Sequence, residues 1–175
     1  MKNLLQNLLQ STTNLLQYRF TKPLYCPEQM PIPVIEKTAG EKLYEFCMQY
    51  YNTDPTPKDE VEDQFSCVWS LTLILQKFFD GEFKNIDYTP ELVKLLKNDN
   101  RFKLSNEFKT GSLVVFPTLS GNGKVIGHCF IVGKNGKMLS NSSATGWWTD
   151  KYDTITMIER YVKLGQLDMY IFELK

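Results

Sequence analysis

A chain of 175 residues that is 42% hydrophobic and 13% aromatic is sized for one well-filled domain with an appendage. Its 20 basic and 20 acidic side chains balance with no run of like charge, which removes the electrostatic footprint of a nucleic-acid binder or an anionic-lipid binder. Four widely spaced cysteines (Cys26, Cys47, Cys67, Cys129) and a single histidine, His128, form no zinc set of recognisable spacing, so neither a structural metal nor a cofactor is expected.

The first segment repeats Asn-Leu-Leu-Gln at positions 3–6, 7–10 and 14–17. Polar amides interrupt each apolar pair, so there is no hydrophobic region or cleavage site of a secretory signal, and no stretch reaches the ~20 apolar residues of a membrane span. The expectation is a protein made in the cytoplasm, where thiols stay reduced. Leu4, Leu5, Leu8, Leu9, Leu15 and Leu16 predict a helix over 3–17 with one apolar stripe. That stripe packs on the domain's back, docks a partner or associates with a second copy; it lacks the basic face of a membrane-surface helix. Pro23, Pro27, Pro31 and Pro33 then forbid regular helix and predict an extended connector. The reading divides the chain into residues 1–35, extension and connector, and 36–175, the domain.

Leu43, Phe46, Cys47 and Tyr50 mark one face of a first domain helix that stops before Asp54-Pro55-Thr56-Pro57, with Cys47 in the core. A polar stretch, Lys58 to Gln64, leads to Cys67, after which residues 68–79 are apolar nearly all round a helix, as a buried helix requires. Thr89-Pro90-Glu91 predicts the start of a third helix, ending near Leu96 or Lys97. Short β-branched and aromatic runs at 102–104, 113–116, 125–132, 137–142 and 169–172 predict strands. A last helix is expected over 155–164, with Gly165 as its left-handed terminator. Helices first and strands mostly after predict an α+β fold, with helices packed on a small antiparallel sheet.

Any imidazole chemistry in this chain belongs to His128, which follows Gly127 and opens the run Cys129-Phe130-Ile131-Val132. Its candidate nucleophile is Cys67, because a thiol becomes a useful nucleophile as the thiolate, and a helix N-terminus beside an imidazolium favours that ion. The N–H of Cys67 is one oxyanion donor; Gln64 is a candidate second donor or a solvent-exposed cap. A two-residue loop at Asn135-Gly136 pairs Lys134 with Lys137, placing Ser143 opposite His128 and Asn141 diagonal to it. Both are candidates to orient the imidazole, and the Asn141 carboxamide oxygen is the better acceptor. A one-residue change of register turns Asn141 to the other face. Cys129, alternating away from His128, reads as core. Trp147 and Trp148, in a predicted loop over 144–153, line a substrate groove or fold onto the domain edge, and the loop 117–124 is the facing wall.

The segments Phe65-Ser66-Cys67-Val68-Trp69-Ser70, Lys109-Thr110-Gly111-Ser112-Leu113-Val114-Val115, Gly127-His128-Cys129-Phe130-Ile131-Val132-Gly133 and Leu139-Ser140-Asn141-Ser142-Ser143 resemble the NlpC-type and CHAP cell-wall peptidases, in forms found in bacteriophage lysins. The resemblance spans about residues 36–172, and departs in having Ser66 before the cysteine and bulky Val68 and Trp69 after it. It implies a papain-like fold, with Cys67 as nucleophile, His128 as base and Asn141 as orienting residue. It further implies cleavage of an amide in bacterial peptidoglycan, acting at the cell wall through lysis or as a virion component; it leaves residues 3–17 unexplained, for which the expected partner is a virion or tail protein or a second copy of the chain. Two alternatives stand beside it: a catalytically inactive structural protein on the same fold, and a cysteine amidohydrolase directed at proteins.

Overall fold

In the computed structural model the described residues are 36–56, 66–119 and 126–175. The Leu-rich segment, the proline connector, Cys26, Gln64 and the loop positions 120–124 lie outside them.

Helix α1 (Ala39–Met48) begins at a reciprocal cap: Glu41 N–H donates to Thr38 Oγ1 at 3.2 Å, and Thr38 N–H donates to the Glu41 carboxylate at 2.8 Å. It buries Gly40, Leu43 and Cys47. Helix α2 (Ser66–Phe78) buries eight of its 13 residues, as its nearly continuous apolar surface predicts. Helix α3 (Thr89–Asn98) carries its proline in the first turn and has Tyr88 in the cap position, one residue before the Thr89 that the Thr-Pro-Glu signature offers as cap; Leu92, Val93 and Leu96 face inward.

Six strands follow: β1 (Phe102–Ser105), β2 (Leu113–Phe116), β3 (His128–Val132), β4 (Lys137–Asn141), β5 (Trp148–Asp153) and β6 (Tyr170–Leu174). They form one antiparallel sheet in the order β1-β6-β2-β3-β4-β5, so the last strand in chain order is inserted between the first two. The fold is α+β, as expected from the sequence, with one strand more: β5 occupies part of the predicted 144–153 loop. It is an edge strand in which Thr149, Asp150, Lys151 and Tyr152 are only partly buried or exposed, a composition that resembles a loop.

Both faces of the central strands are covered, so β2 and β3 are buried at every position rather than alternating. Leu71, Ile74 and Leu75 of α2 share one core with Leu113, Val115, Cys129, Ile131 and Leu139. On the other face Val114, Phe116, Phe130 and Val132 pack with Met157 and Tyr161. Those two residues belong to helix α4 (Thr154–Met157) and its continuation, Ile158–Leu164, which is wound as a π-helix. Gly165 lies in the right-handed region at φ −81°; the left-handed residue after this helix is Gln166, at φ 54°, one position later than expected. Each apolar side chain fully buried this way contributes about 1.5–3 kcal/mol.

The turn between β3 and β4 corrects a second expectation. It contains three residues, Lys134–Gly136, with Asn135 and Gly136 at φ 58° and 71°. The pairs are Ile131 with Leu139 and Val132 with Met138, one residue from the register of a two-residue loop. Asn141 therefore falls on the α2 face, with Leu139 and Cys129, and not on the face of His128.

Candidate active site

Cys67 is the second residue of α2, where backbone N–H groups lack intrahelical partners and the helix dipole favours an anion. A buried polar chain fixes this helix start. Ser66 Oγ donates to Asn141 Oδ1 at 2.7 Å, and Asn141 Nδ2 donates to the Gly146 carbonyl at 2.6 Å. Ser66 and Asn141 are both fully buried. The asparagine thus ties the end of β4 to the residue before Cys67, and the one-residue register change is the reason it reaches Ser66.

His128 opens β3 and is 6% exposed. Its ring lies parallel to that of Tyr161, with planes 5° apart and centroids at 5.9 Å, and meets the Phe130 ring edge-on at 4.5 Å. Tyr161 was not singled out in the sequence; its only signal is an aromatic within a predicted helix, and the π-helical winding that presents it has no periodic signature. Gly127 precedes the histidine because the backbone is crowded there: a Cβ would lie 2.2 Å from the Phe116 carbonyl oxygen and 2.5 Å from Thr118 N. Gly127 N–H donates to Thr118 Oγ1 at 2.8 Å, and Thr118 N–H donates to Thr89 Oγ1 at 3.0 Å, which holds the entry to β3 against the start of α3.

A cleft of about 90 Å³ reaches Cys67. It is lined by the start of α2 (Cys67, Val68), the approach to α3 (Asp87, Tyr88, Thr89) and the segments beside β2 and β3 (Thr118, Ile126, Gly127). Of the predicted groove wall, 117–124, Thr118 lines the cleft. The two tryptophans do not line it. Trp148 is fully buried in the core shared with α2, while Trp147 is 49% exposed. Ser143 sits in an exposed turn.

Cys67 is 4% exposed, and burial alone would hold it neutral. Instead its thiol is held well below the usual range, first by hydrogen bonding with the Cys129 thiol and then by the charge of His128 and a hydrogen bond with its ring, against the opposing effect of burial. The structure thus brings Cys67 and His128 together and adds Cys129, while Asn141 joins the site through Ser66. Cys47, the buried thiol of α1, is pushed far above its usual value by burial. Among the described residues no helix is long and apolar enough to cross a membrane. No family model and no curated protein matches the sequence.

Proposed function

We propose that the chain is a cysteine-dependent amide hydrolase with a papain-like arrangement, acting on the peptide part of bacterial peptidoglycan. The observation that carries this reading is a buried cysteine at a helix N-terminus, lining a cleft, whose thiol is drawn toward the thiolate by the neighbouring Cys129 and by His128. The substrate class rests on the resemblance of the segments around Cys67, His128 and Asn141 to cell-wall peptidases.

In this reading His128 takes the Cys67 proton, and the thiolate attacks the amide carbonyl to form a C–S bond. The N–H of Cys67 donates to the oxyanion, in the first helical turn where it has no intrahelical acceptor. His128 then returns the proton to the amine nitrogen as the C–N bond breaks. Water, deprotonated by His128, attacks the thioester and releases the acid and the free thiol. Asn141 positions the nucleophile by holding Ser66, and Tyr161 and Phe130 hold the imidazole plane.

The test is mass spectrometry of purified peptidoglycan after incubation with wild-type protein and with Cys67→Ala. Products that carry new peptide termini or free lactyl ends, formed by wild type alone, are the expected result and identify the bond. Wild-type protein that releases nothing from walls of several chemotypes overturns the reading. Release by both proteins assigns the activity elsewhere than Cys67.

A further inference from the structure

The cleft beside Cys67 carries a charge that the mechanism does not use. Among the described residues that line it, Asp87 alone bears a carboxylate or a cationic side chain, and it enters no ion pair with any described residue. Lys84, a few positions earlier, is turned to Glu91, with Nζ 3.0 Å from that carboxylate. Asp87 is exposed, yet its backbone is held on both sides. Before it stands Ile86, 5% exposed, whose N–H donates to Thr72 Oγ1 at 3.2 Å and whose carbonyl oxygen is 3.0 Å from the same hydroxyl. Thr72 is fully buried on α2, the helix that carries Cys67. On the other side the buried Thr89 accepts from Thr118 N–H through Oγ1 at 3.0 Å. A carboxylate on a segment fixed in this way gives up little conformational freedom when it meets a partner.

Taking Cys67 as the nucleophile of an amide hydrolase, as above, we propose that Asp87 is a specificity-determining residue that binds a primary ammonium group of the substrate beside the scissile amide. The cleft is about 90 Å³, short enough that a group held by Asp87 belongs to a residue adjoining the carbonyl at Cys67. The apolar side chains of Val68 and Ile126 in the same cleft focus the field of the carboxylate and strengthen its attraction for a cation. Tyr88, next to Asp87 in the wall, adds an aromatic surface of the kind on which an ammonium is also favoured. The same carboxylate repels an acidic substrate side chain, so the site selects by repulsion as well as by attraction. In the peptide part of a cell wall such an ammonium is the side-chain amine of a diamino acid or the α-amine of a chain end, and both present the same group to Asp87.

The experiment has two arms, both on the full chain. The first compares the rates at which Cys67 is modified by aminoethyl methanethiosulfonate, a cation, and by sulfonatoethyl methanethiosulfonate, an anion with the same leaving group, read at the Cys67 peptide by mass spectrometry. Asp87→Asn is expected to lower the cation-to-anion rate ratio about fivefold to tenfold, and Asp87→Lys to lower it further. Asp80→Asn, which makes the same change in net charge at an exposed position outside the cleft, leaves the ratio within about twofold of wild type. The second arm measures hydrolysis of purified peptidoglycan before and after acetylation of its free amines. Acetylation is expected to lower the wild-type kcat/KM about tenfold; Asp87→Asn loses a similar factor on the untreated wall and less than about twofold more on the acetylated one. The sequences of the released peptides then show whether the amine is that of a diamino acid or of a chain end. A rate ratio equal in wild type and Asp87→Asn, an equal fall in Asp80→Asn, or the same loss on acetylation with and without the carboxylate overturns the proposal. Failure of the hydrolase reading looks different: no wall is cut, while the Asp87-dependent rate ratio at Cys67 still stands.

Discussion

Two cysteines on two helices of this domain are both buried and ionise in opposite directions. Cys47 lies in the last turn of α1 among apolar neighbours, and desolvation alone makes its thiolate inaccessible. Cys67 is nearly as buried, but it opens α2, meets Cys129 and His128, and is drawn toward the thiolate. Burial does not decide whether a thiol is reactive; the donors and charges buried with it do. The helix end matters as well, since a thiolate near a C-terminus faces carbonyl oxygens and one near an N-terminus faces N–H groups.

The sharpest way to break this comparison is to remove each thiol in turn. Cys67→Ala is expected to lower hydrolysis at least about a thousandfold with the fold intact. Cys47→Ala leaves the rate within about twofold and costs about 1 kcal/mol of stability, read by urea unfolding. Equal loss of activity in both variants would erase the distinction. Next in size is the polar chain at the start of α2. Asn141→Ala leaves Ser66 Oγ and the Gly146 carbonyl without their asparagine partner, and is expected to cost about 1–3 kcal/mol in unfolding free energy together with a fall in kcat. A kcat equal to wild type in the folded variant would sever Asn141 from the nucleophile.

A smaller effect is expected on the histidine side. Tyr161→Leu keeps an apolar side chain on the π-helical segment but removes the ring parallel to His128, a contact worth about 0.5–1.5 kcal/mol. Its signature is a lower kcat with little change in KM, because the imidazole loses its fixed plane; Tyr161→Phe restores the rate. The smallest effect serves as a control far from the cleft. Arg101 holds the Asp99 carboxyl below its ordinary value of 3.8, first by side-chain hydrogen bonds. A depressed folded-state pKa means that this stability is present above 3.8 and is lost as pH falls through the lower folded value. Asp99→Asn should remove at most about 1 kcal/mol of that acid-sensitive stability, seen as a flatter thermal melting midpoint between pH 5 and about pH 2, with no change at Cys67.

The elements that frame the site were legible where a local signal is strong. The apolar run after Cys67, the proline in the first turn of α3 and the β-branched run after His128 each correspond to an element nearly where the sequence predicts it. The role of Asn141 was not legible, because Asn-Gly supplies two residues with positive φ to a two-residue loop and serves the observed three-residue turn equally well. That single residue of slack sends Asn141 from the imidazole face to Ser66. Strand β5 was missed because an edge strand with charged side chains reads as a loop, and Trp148, which the sequence offers for a groove or for the domain edge, is its anchor in the core. The place of Cys129 follows from alternation along β3, but only the packing of α2 on that face shows that it sits beneath Cys67.

The position of β6 has a consequence for the order in which the molecule is assembled. Residues 170–174 separate β1 from β2, so β1 has no other strand to pair with until they arrive. Strands β2 to β5 are hairpin neighbours and can associate as they are made, but the sheet cannot close on β1 until nearly all of this sequence has been synthesised. A chain lacking those five residues holds Cys67 and His128 without a completed sheet behind them, so the site is finished only after β6 has paired with both neighbours.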